Sequence, residues 1–148
     1  MSITLTQICQ AIETTLAPAI TYTQTASELK DGMNDQPILQ VYPNSGTSLA
    51  GTQQNDRTTF RADLRQAEIV IYADLYATPR SEIGEDFAVL LPLIDAVINE
   101  IEKQDTKPYF GLVGIKGFYW GWQQVILIYN DPAQPFLGAR FTFTLRVY

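Results

Sequence analysis

The chain has 148 residues, of which 46% are hydrophobic and 18% charged, and its formal net charge is −6. This length suits one hydrophobic core, and no apolar run approaches the roughly 18 residues of a membrane helix, so we predict a single domain over residues 1–148 without a membrane span. The chain contains no histidine, which excludes histidine-based catalytic triads and the usual zinc ligand, and its acidic balance argues against non-specific nucleic-acid binding.

Cys9 is the only cysteine. It has no partner for an intrachain disulfide, and the chain does not open with a positively charged segment followed by an apolar stretch, so we expect no secretion signal and assembly in a reducing cytoplasm. Because Cys9 lies on an apolar stripe without a basic neighbour, we interpret it as a buried, inert thiol rather than a nucleophile.

The first predicted element is an amphipathic helix from Thr4 to Ala17. Its apolar residues recur at helical spacing: Leu5, Ile8, Cys9, Ile12 and Leu16. Ser2 or Thr4 is the candidate N-cap, and Pro18 is the predicted stop.

A short strand is predicted from Ile38 to Tyr42, after a polar segment at residues 21–36. Residues 43–56 are mainly Gly, Ser, Thr, Asn and Gln. This composition buries too little apolar surface to order the segment, so we predict a long exposed loop there.

Residues 57–76 alternate with a period of two, which predicts strand structure, most clearly from Ile69 to Tyr76. Arg57, Arg61 and Arg65 share one face at their four-residue spacing. The simplest interpretation is a solvated face balanced by neighbouring aspartates. The alternative is a charged seam against an acidic neighbouring subunit or DNA phosphate.

The second predicted helix extends from about Ser81, its candidate N-cap, to Lys103. Its apolar residues recur at intervals of three and four: Phe87, Leu90, Leu91, Ile94, Val97, Ile98 and Ile101. Pro92 interrupts this pattern at a cost of about 3 kcal/mol, so we expect either a kink or a helix that starts late.

The last third of the chain is aromatic and β-rich. A glycine-rich aromatic stretch at residues 109–122 precedes two strands, 123–130 and 136–148, that we expect to pair as a hairpin. The segment Val125–Tyr129 is apolar on both faces, which predicts that it is covered on both sides. We take its Ile126 and Ile128, with the nearby Trp120 and Trp122, as a candidate subunit interface, because aromatic residues are enriched in interface cores.

Together these elements predict an α+β fold. We expect a mostly antiparallel sheet of about five strands, with the N-terminal helix and one longer helix packed on one face. The apolar sheet surface that remains favours an oligomer.

The candidates for chemistry are carboxylates. An acid pair for glycoside hydrolysis would draw on the following residues: Asp63, Asp74, Glu82, Glu85 and Asp86. The simpler interpretation is that the helical acids complement the helix dipole and that Asp74 is a solvent-facing strand residue. We expect no metal site and no cofactor, and we interpret the glycines at 111, 114, 117 and 121 as relieving crowding among aromatic residues in bent or bulged strands.

The chain resembles the tail terminator and neck proteins of long-tailed bacteriophages. The resemblance lies in the order of four segments: DRTTF at 56–60, RQAEIVIYADLYATPRSEIGED at 65–86, EIEKQ at 100–104 and FLGARFTFTLRVY at 136–148. It covers most of the chain in layout, and its most distinctive parts are DLYATPRS and the GARF that begins the final strand.

This resemblance implies a virion protein without enzymatic activity, assembled in the host cytoplasm. It would form a homo-oligomeric ring, usually a hexamer, that caps the tail tube and joins it to the head connector, while DNA passes through the lumen without specific binding. It also implies that loop 43–56 becomes ordered against the tube or connector; the candidate contacts are Asn44, Ser45, Leu49 and Gln53. A head–tail connector, a stopper or a minor tail protein is the alternative, and a small carboxylate-based enzyme represents the other functional class.

Overall fold

The helices and strands are those of a computed structural model that describes residues 4–20, 22–25, 38–48, 67–79, 83–128 and 135–147. In chain order the elements are α1 (Leu5–Leu16), β1 (Tyr22–Thr25), β2 (Ile38–Ser48), β3 (Ala67–Pro79), α2 (Ile83–Glu102), β4 (Ile115–Ile128) and β5 (Pro135–Val147). Short 3₁₀ turns follow α1 at Ala17–Ala19 and precede β4 at Tyr109–Gly111.

The strands form one sheet in the order β1-β2-β3-β5-β4. Strands β2, β3, β5 and β4 pair antiparallel, and the four-residue β1 joins β2 in parallel. The predicted α+β class, with two helices and an antiparallel sheet, is confirmed. Strand β1 was not predicted, because its sequence YTQT lacks an apolar pattern.

The core lies between the helices and one face of the sheet. In β5 the predicted alternation holds: Phe141, Phe143 and Leu145 are fully buried, opposite Ala73, Ile71 and Ile69 of β3. Both helices contribute apolar side chains to this single cluster, and they contact each other as well as the sheet. Burial at alternate positions of β3 and β5 therefore supplies the larger part of the sheet's contribution to this core.

Helix α1 begins with a capping box. The Thr4 hydroxyl accepts a hydrogen bond from the Gln7 amide at 3.2 Å, and the Gln7 side chain accepts one from the Thr4 amide at 2.9 Å. These bonds satisfy two of the donors that a helix start leaves open, so Thr4, not Ser2, is the cap. Cys9 is buried as predicted, and burial raises the pKa of its thiol, which keeps it protonated.

Helix α2 starts at Ile83 and continues through Pro92 to Glu102. The expectation of a late start is therefore wrong. Pro92 and Ala88, whose carbonyl loses its usual helical donor, both lie on the exposed side of the helix. Water can satisfy that carbonyl, while the opposite side buries Leu90 and Ile94 in the core.

The predicted loop 43–56 is wrong over its first part, because residues 43–48 form the second half of β2. Gly46, Thr47 and Ser48 pair with Ile69, Glu68 and Ala67 of β3, after a bulge between Pro43 and Ser45. The polar composition misled the prediction, since backbone hydrogen bonds to a neighbouring strand hold this segment without apolar burial. Residues 49–56 lie outside the described residues.

Strand β4 is one continuous element, and the predicted division of this region at residue 122 is wrong. Its partners on β5 run from Val147, opposite Ile115, to Pro135, opposite Ile128. One shift in register, between Ile115 and Gly117, leaves Lys116 as the extra residue of a bulge. The hairpin of the last two strands is confirmed.

The turn before β4 stores backbone strain that core contacts offset. Phe110 has a φ of 53°, a left-handed conformation that a side chain adopts at a cost of about 1–2 kcal/mol. Its amide donates a hydrogen bond to the Gln104 side chain at 2.8 Å, and its ring contacts Phe118 and Phe143 with centroids 4.8 and 5.9 Å away. The buried ring therefore anchors the start of β4 to the core.

We predict that Phe110→Ala lowers the free energy of unfolding by about 3–4 kcal/mol, because it removes a buried ring and keeps the strained backbone. Gln104→Ala, which removes only the amide's acceptor, should cost about 1 kcal/mol. Urea unfolding followed by tryptophan fluorescence measures both. Equal losses for the two variants would contradict the role given to the ring.

Candidate interaction surface

Strand β4 carries the main exposed apolar surface of the sheet. Trp120, Trp122 and Ile126, which we call the β4 row, lie opposite Phe143, Phe141 and Leu137 of β5 and so share the core face. Trp120 packs against the core, whereas Trp122 is 46% exposed and Ile126 is 49% exposed. The core face of the sheet is thus buried at its centre and partly exposed along β4.

The position of the helices explains this exposure. Helix α1 contacts β1 and β2, and α2 contacts β3 and β5, whereas the main described contact of β4 outside the sheet is the short turn Tyr109–Gly111. That turn lies at the start of β4, next to Phe118. The row is therefore partly buried at Trp120 and about half exposed at Trp122 and Ile126.

This geometry bears on the expected cover of residues 125–129. Ile126 is half exposed and Val125 partly exposed in the single subunit, so cover on both sides stays a prediction that requires a partner. Ile128 belongs to β4, with a side chain outside the described residues, and Tyr129 lies outside them altogether.

The other predicted contact residues divide into two groups. Asn44 and Ser45 are exposed as predicted, although on strand β2 rather than in a loop. Leu49, Gln53 and the three arginines Arg57, Arg61 and Arg65 lie outside the described residues, so their roles stay predictions.

The glycines of β4 do not relieve crowding, contrary to expectation. A β-carbon built on Gly117 or Gly121 would meet no atom within 4 Å. Gly117 adjoins the Lys116 bulge, and these glycines are expected to lie in bent or bulged strands. Gly111 has a φ of +72°, a left-handed conformation that glycine adopts without strain. The open space at Gly121 leaves a flat surface beside Tyr119, which is 65% exposed.

The opposite face of the sheet contains a buried charge network. Asp74 of β3 is 2% exposed and lies directly opposite Arg140 of β5. The Arg140 Nε donates to Asp74 Oδ1 at 2.8 Å, its Nη2 donates to Asp74 Oδ2 at 3.2 Å, and the Tyr42 hydroxyl also donates to Oδ2. The interpretation of Asp74 as a solvent-facing residue is wrong, because the cross-strand partner compensates for its burial.

Tyr72 completes this network. The Arg140 guanidinium carbon lies 4.4 Å from the centre of the Tyr72 ring, and the Tyr42 ring meets Tyr72 edge to face with centroids 5.9 Å apart. The first is a favourable cation–π contact, and the second has the edge-to-face geometry that aromatic pairs prefer. The network therefore links β2, β3 and β5 across the face that the helices do not cover.

The network also raises the pKa values of two of its side chains. Burial, followed by the hydrogen bond to Asp74, raises the pKa of Tyr42 well above its ordinary value. The hydrogen bond to Asp74 raises the pKa of Arg140 further above an already high value. Both Asp74 oxygens accept hydrogen bonds from these groups.

Among the remaining acids of the hypothetical pair, the described side chains include that of Asp86. Asp86 is 3% exposed and is engaged with a partner. Glu85 belongs to α2, with a side chain outside the described residues, and Asp63 and Glu82 lie outside them too. Within the described ranges, no group of three or more Cys, Asp or Glu side chains is arranged to hold a metal ion.

A shallow groove of about 370 Å³ lies near the start of β4, on the face of the sheet opposite the β4 row. Its lining includes Tyr119, Thr144 and a cross-strand pair, Glu68 and Arg146, whose charged atoms are 3.9 Å apart. This pair is exposed to solvent and weak by comparison with Asp74 and Arg140.

Comparisons with protein-family models and with curated proteins find no matching family and no matching protein. No helix in the described part of the chain combines the length and apolar character needed to cross a membrane. The local geometry therefore carries the functional argument.

The two cross-strand ion pairs of β3 and β5 provide a matched comparison. We predict a coupling free energy of about 2–3 kcal/mol between Asp74 and Arg140 in a double-mutant cycle of Asp74→Asn and Arg140→Gln, because the pair is buried and bidentate. The same cycle on Glu68 and Arg146 should give under about 0.5 kcal/mol. Urea unfolding provides the values, and equal coupling in both cycles would show that burial of Asp74 adds nothing.

The raised pKa of Tyr42 predicts a loss of stability at alkaline pH. The unfolded tyrosine ionises near pH 10, while the folded one stays protonated to higher pH, so ionisation favours the unfolded state above about pH 10. Between pH 9 and pH 11 the wild type should lose about 1 kcal/mol more than Tyr42→Phe. The other seven tyrosines are common to both proteins, and identical pH dependence in urea unfolding would contradict the shift.

Proposed function

We propose that this chain is a structural virion protein: a tail terminator whose copies form a ring, a hexamer in the simplest case, that caps the tail tube and joins it to the head connector. The observation that carries the proposal is the uncovered β4 row. It is partly exposed apolar surface on the core face of the sheet, at the edge beyond the strands that the two described helices mainly contact. A neighbouring subunit is the simplest cover for such a surface.

The order of elements supports the proposal. Within the segment at 65–86, residues 67–79 form β3 and residues 83–86 begin α2; residues 100–102 end α2, and residues 136–147 of the last segment belong to β5. An N-terminal helix, a central sheet, one long helix and a final hairpin are the layout implied by the resemblance to tail terminator and neck proteins. DRTTF at 56–60 lies outside the described residues.

The engagement of Asp74 favours a structural role over a carboxylate-based enzyme. A catalytic acid or base must exchange protons with a substrate, but both Asp74 oxygens accept hydrogen bonds from Arg140 and Tyr42. A connector, a stopper or a minor tail protein shares the same requirement for an apolar seam, so these alternatives differ from a terminator in their partners rather than in their chemistry.

The charge of the chain suits a channel for DNA. Each subunit carries a formal charge of −6, so a six-membered ring would carry about −36, which disfavours capture of phosphate and lets DNA pass. We place the assembled ring in the virion, at the end of the tail. The arginines at 57, 61 and 65 and the segment at 49–56 are the proposed contacts with neighbouring subunits, the tube and the connector.

We predict that Ile126→Asp gives a folded protein that does not assemble on tail tubes. A half-exposed position tolerates a carboxylate in the free subunit, but the same charge would be buried without a partner in a seam. Leu91→Asp on α2 is the matched control, since Leu91 is 52% exposed and Ile126 is 49% exposed. Circular dichroism measures folding, and electron microscopy of tubes incubated with each variant measures assembly.

Two results would count against the proposal. Normal ring formation by Ile126→Asp would remove the β4 row from the seam. A wild-type protein that neither forms rings nor caps purified tail tubes would contradict the terminator function itself.

A further inference from the structure

The outer edge of β4 lacks the protection that exposed sheet edges ordinarily carry. Strand β4 ends the sheet, with its backbone paired to β5 on one side, and no other described segment pairs with its free side. The opposite edge, β1, is four residues long, whereas β4 has 14. Long edge strands invite pairing with another chain, and they are blunted by charges, prolines or bulges.

Such devices are confined to one end of β4. Lys116 occupies the bulge between Ile115 and Gly117, and it is the only charged residue of the strand. From Gly117 to Ile128 the sequence GFYWGWQQVILI contains no charge and no proline. In a chain with a net charge of −6, this uncharged edge is where a second copy meets the least electrostatic repulsion.

We propose that two copies of the free chain pair through β4, antiparallel and around a two-fold axis at Trp122. Residue 117 of one copy then lies opposite residue 127 of the other. The regular strand offers two such pairings of eleven residues that keep each sheet face continuous, centred on residue 122 or on residue 123, because a shift of the register by one residue would exchange the faces. The pairing around Trp122 places two exposed Trp122 side chains opposite each other rather than opposite Gln124. It begins where the Lys116 bulge ends.

The side chains agree with this register. On the core face, the half-exposed Ile126 lies opposite the partly buried Phe118 of the second copy, and Trp122 lies opposite its own equivalent, so the exposed Trp122 and Ile126 side chains gain apolar neighbours. On the other face, Gly121 faces Gln123 of the second copy and Tyr119 faces its Val125. The space beside Gly121 is open, so the longer partner side chain meets no obstruction.

The area is sufficient for a reversible dimer. Eleven paired residues at about 3.3 Å give an edge of about 36 Å, and a sheet thickness of about 10 Å gives roughly 400 Å² per copy. Half-exposed Trp122, Ile126 and Tyr119 raise the total to about 1,000 Å², the lower limit for a specific interface. We therefore expect a dissociation constant on the order of 10 µM.

This dimer does not depend on the proposed function. The assembly stops at two copies, because each copy uses its β4 edge for the contact and none remains free for a third. Any neighbour that takes β4 in a larger assembly must displace it. The dimer thus protects the edge before assembly, and it is measured on the isolated protein without any tail component.

A cysteine at the two-fold axis tests the pairing directly. Opposite residues of an antiparallel pair have Cα atoms about 4.5–5.5 Å apart, within the range of a disulfide. Trp122→Cys should therefore form a covalent dimer on mild oxidation. Gln124→Cys, also exposed, should not, because its two copies would be about 14 Å apart. The wild type is the background control, since Cys9 is buried.

Opposite charges at position 122 give a second test that does not require oxidation. Trp122→Lys and Trp122→Glu should each be monomeric in light scattering at 100 µM, and a one-to-one mixture should regain the dimer, because position 122 faces itself. A monomeric wild type at this concentration would overturn the proposal, whether or not rings form on tail tubes. Crosslinking through Gln124→Cys but not Trp122→Cys, or a mixture that stays monomeric, would also overturn it.

Discussion

The structure depends on the insertion of β5 between β3 and β4. The last strand of the chain pairs along its whole length with both neighbours, so the sheet is completed by the final residues. Three alternate side chains of β5, Phe141, Phe143 and Leu145, are fully buried against the helices. Because β5 takes the central place, β4 is moved to the edge, where the helices no longer cover it.

The same insertion places a buried ion pair on the other face. Asp74 and Arg140 are 66 residues apart in the chain, and they meet because β3 and β5 are neighbours. Burial of a carboxylate is compensated only when its oxygens are hydrogen-bonded, and both Asp74 oxygens accept here, from Arg140 and from Tyr42. The pair also opposes a slip of the strands, since an offset of one residue would bury each charge without its partner.

Local signals in the sequence predicted where helices and strands lie better than they predicted which strands pair with one another. The apolar stripe of α1 and the alternation of β5 were enough to place both elements, because each depends on residues close in the chain. Strand β1 and the second half of β2 were missed, since their polar residues are held by backbone bonds to other strands. Pro92 suggested a helix boundary, but it lies on the exposed side of α2.

The sequence indicated which residues form the candidate surface. It did not indicate how much of their side chains is exposed. Trp122 and Ile126 stand out in the sequence as aromatic and apolar residues near the end of the chain. Their half exposure depends on where the helices stop across the sheet, which no local pattern records. Asp74 was misread for the same reason, because alternation assigns its face but not the arginine opposite.

We propose that another subunit covers β4 in an assembled phage particle. Cryo-electron microscopy of phage tail ends assembled with this chain is the direct test. The expected result is a ring of this chain between tube and connector, with Trp122 and Ile126 buried at a seam between subunits. A ring in which both side chains face solvent, or a particle without this chain at that position, would contradict it.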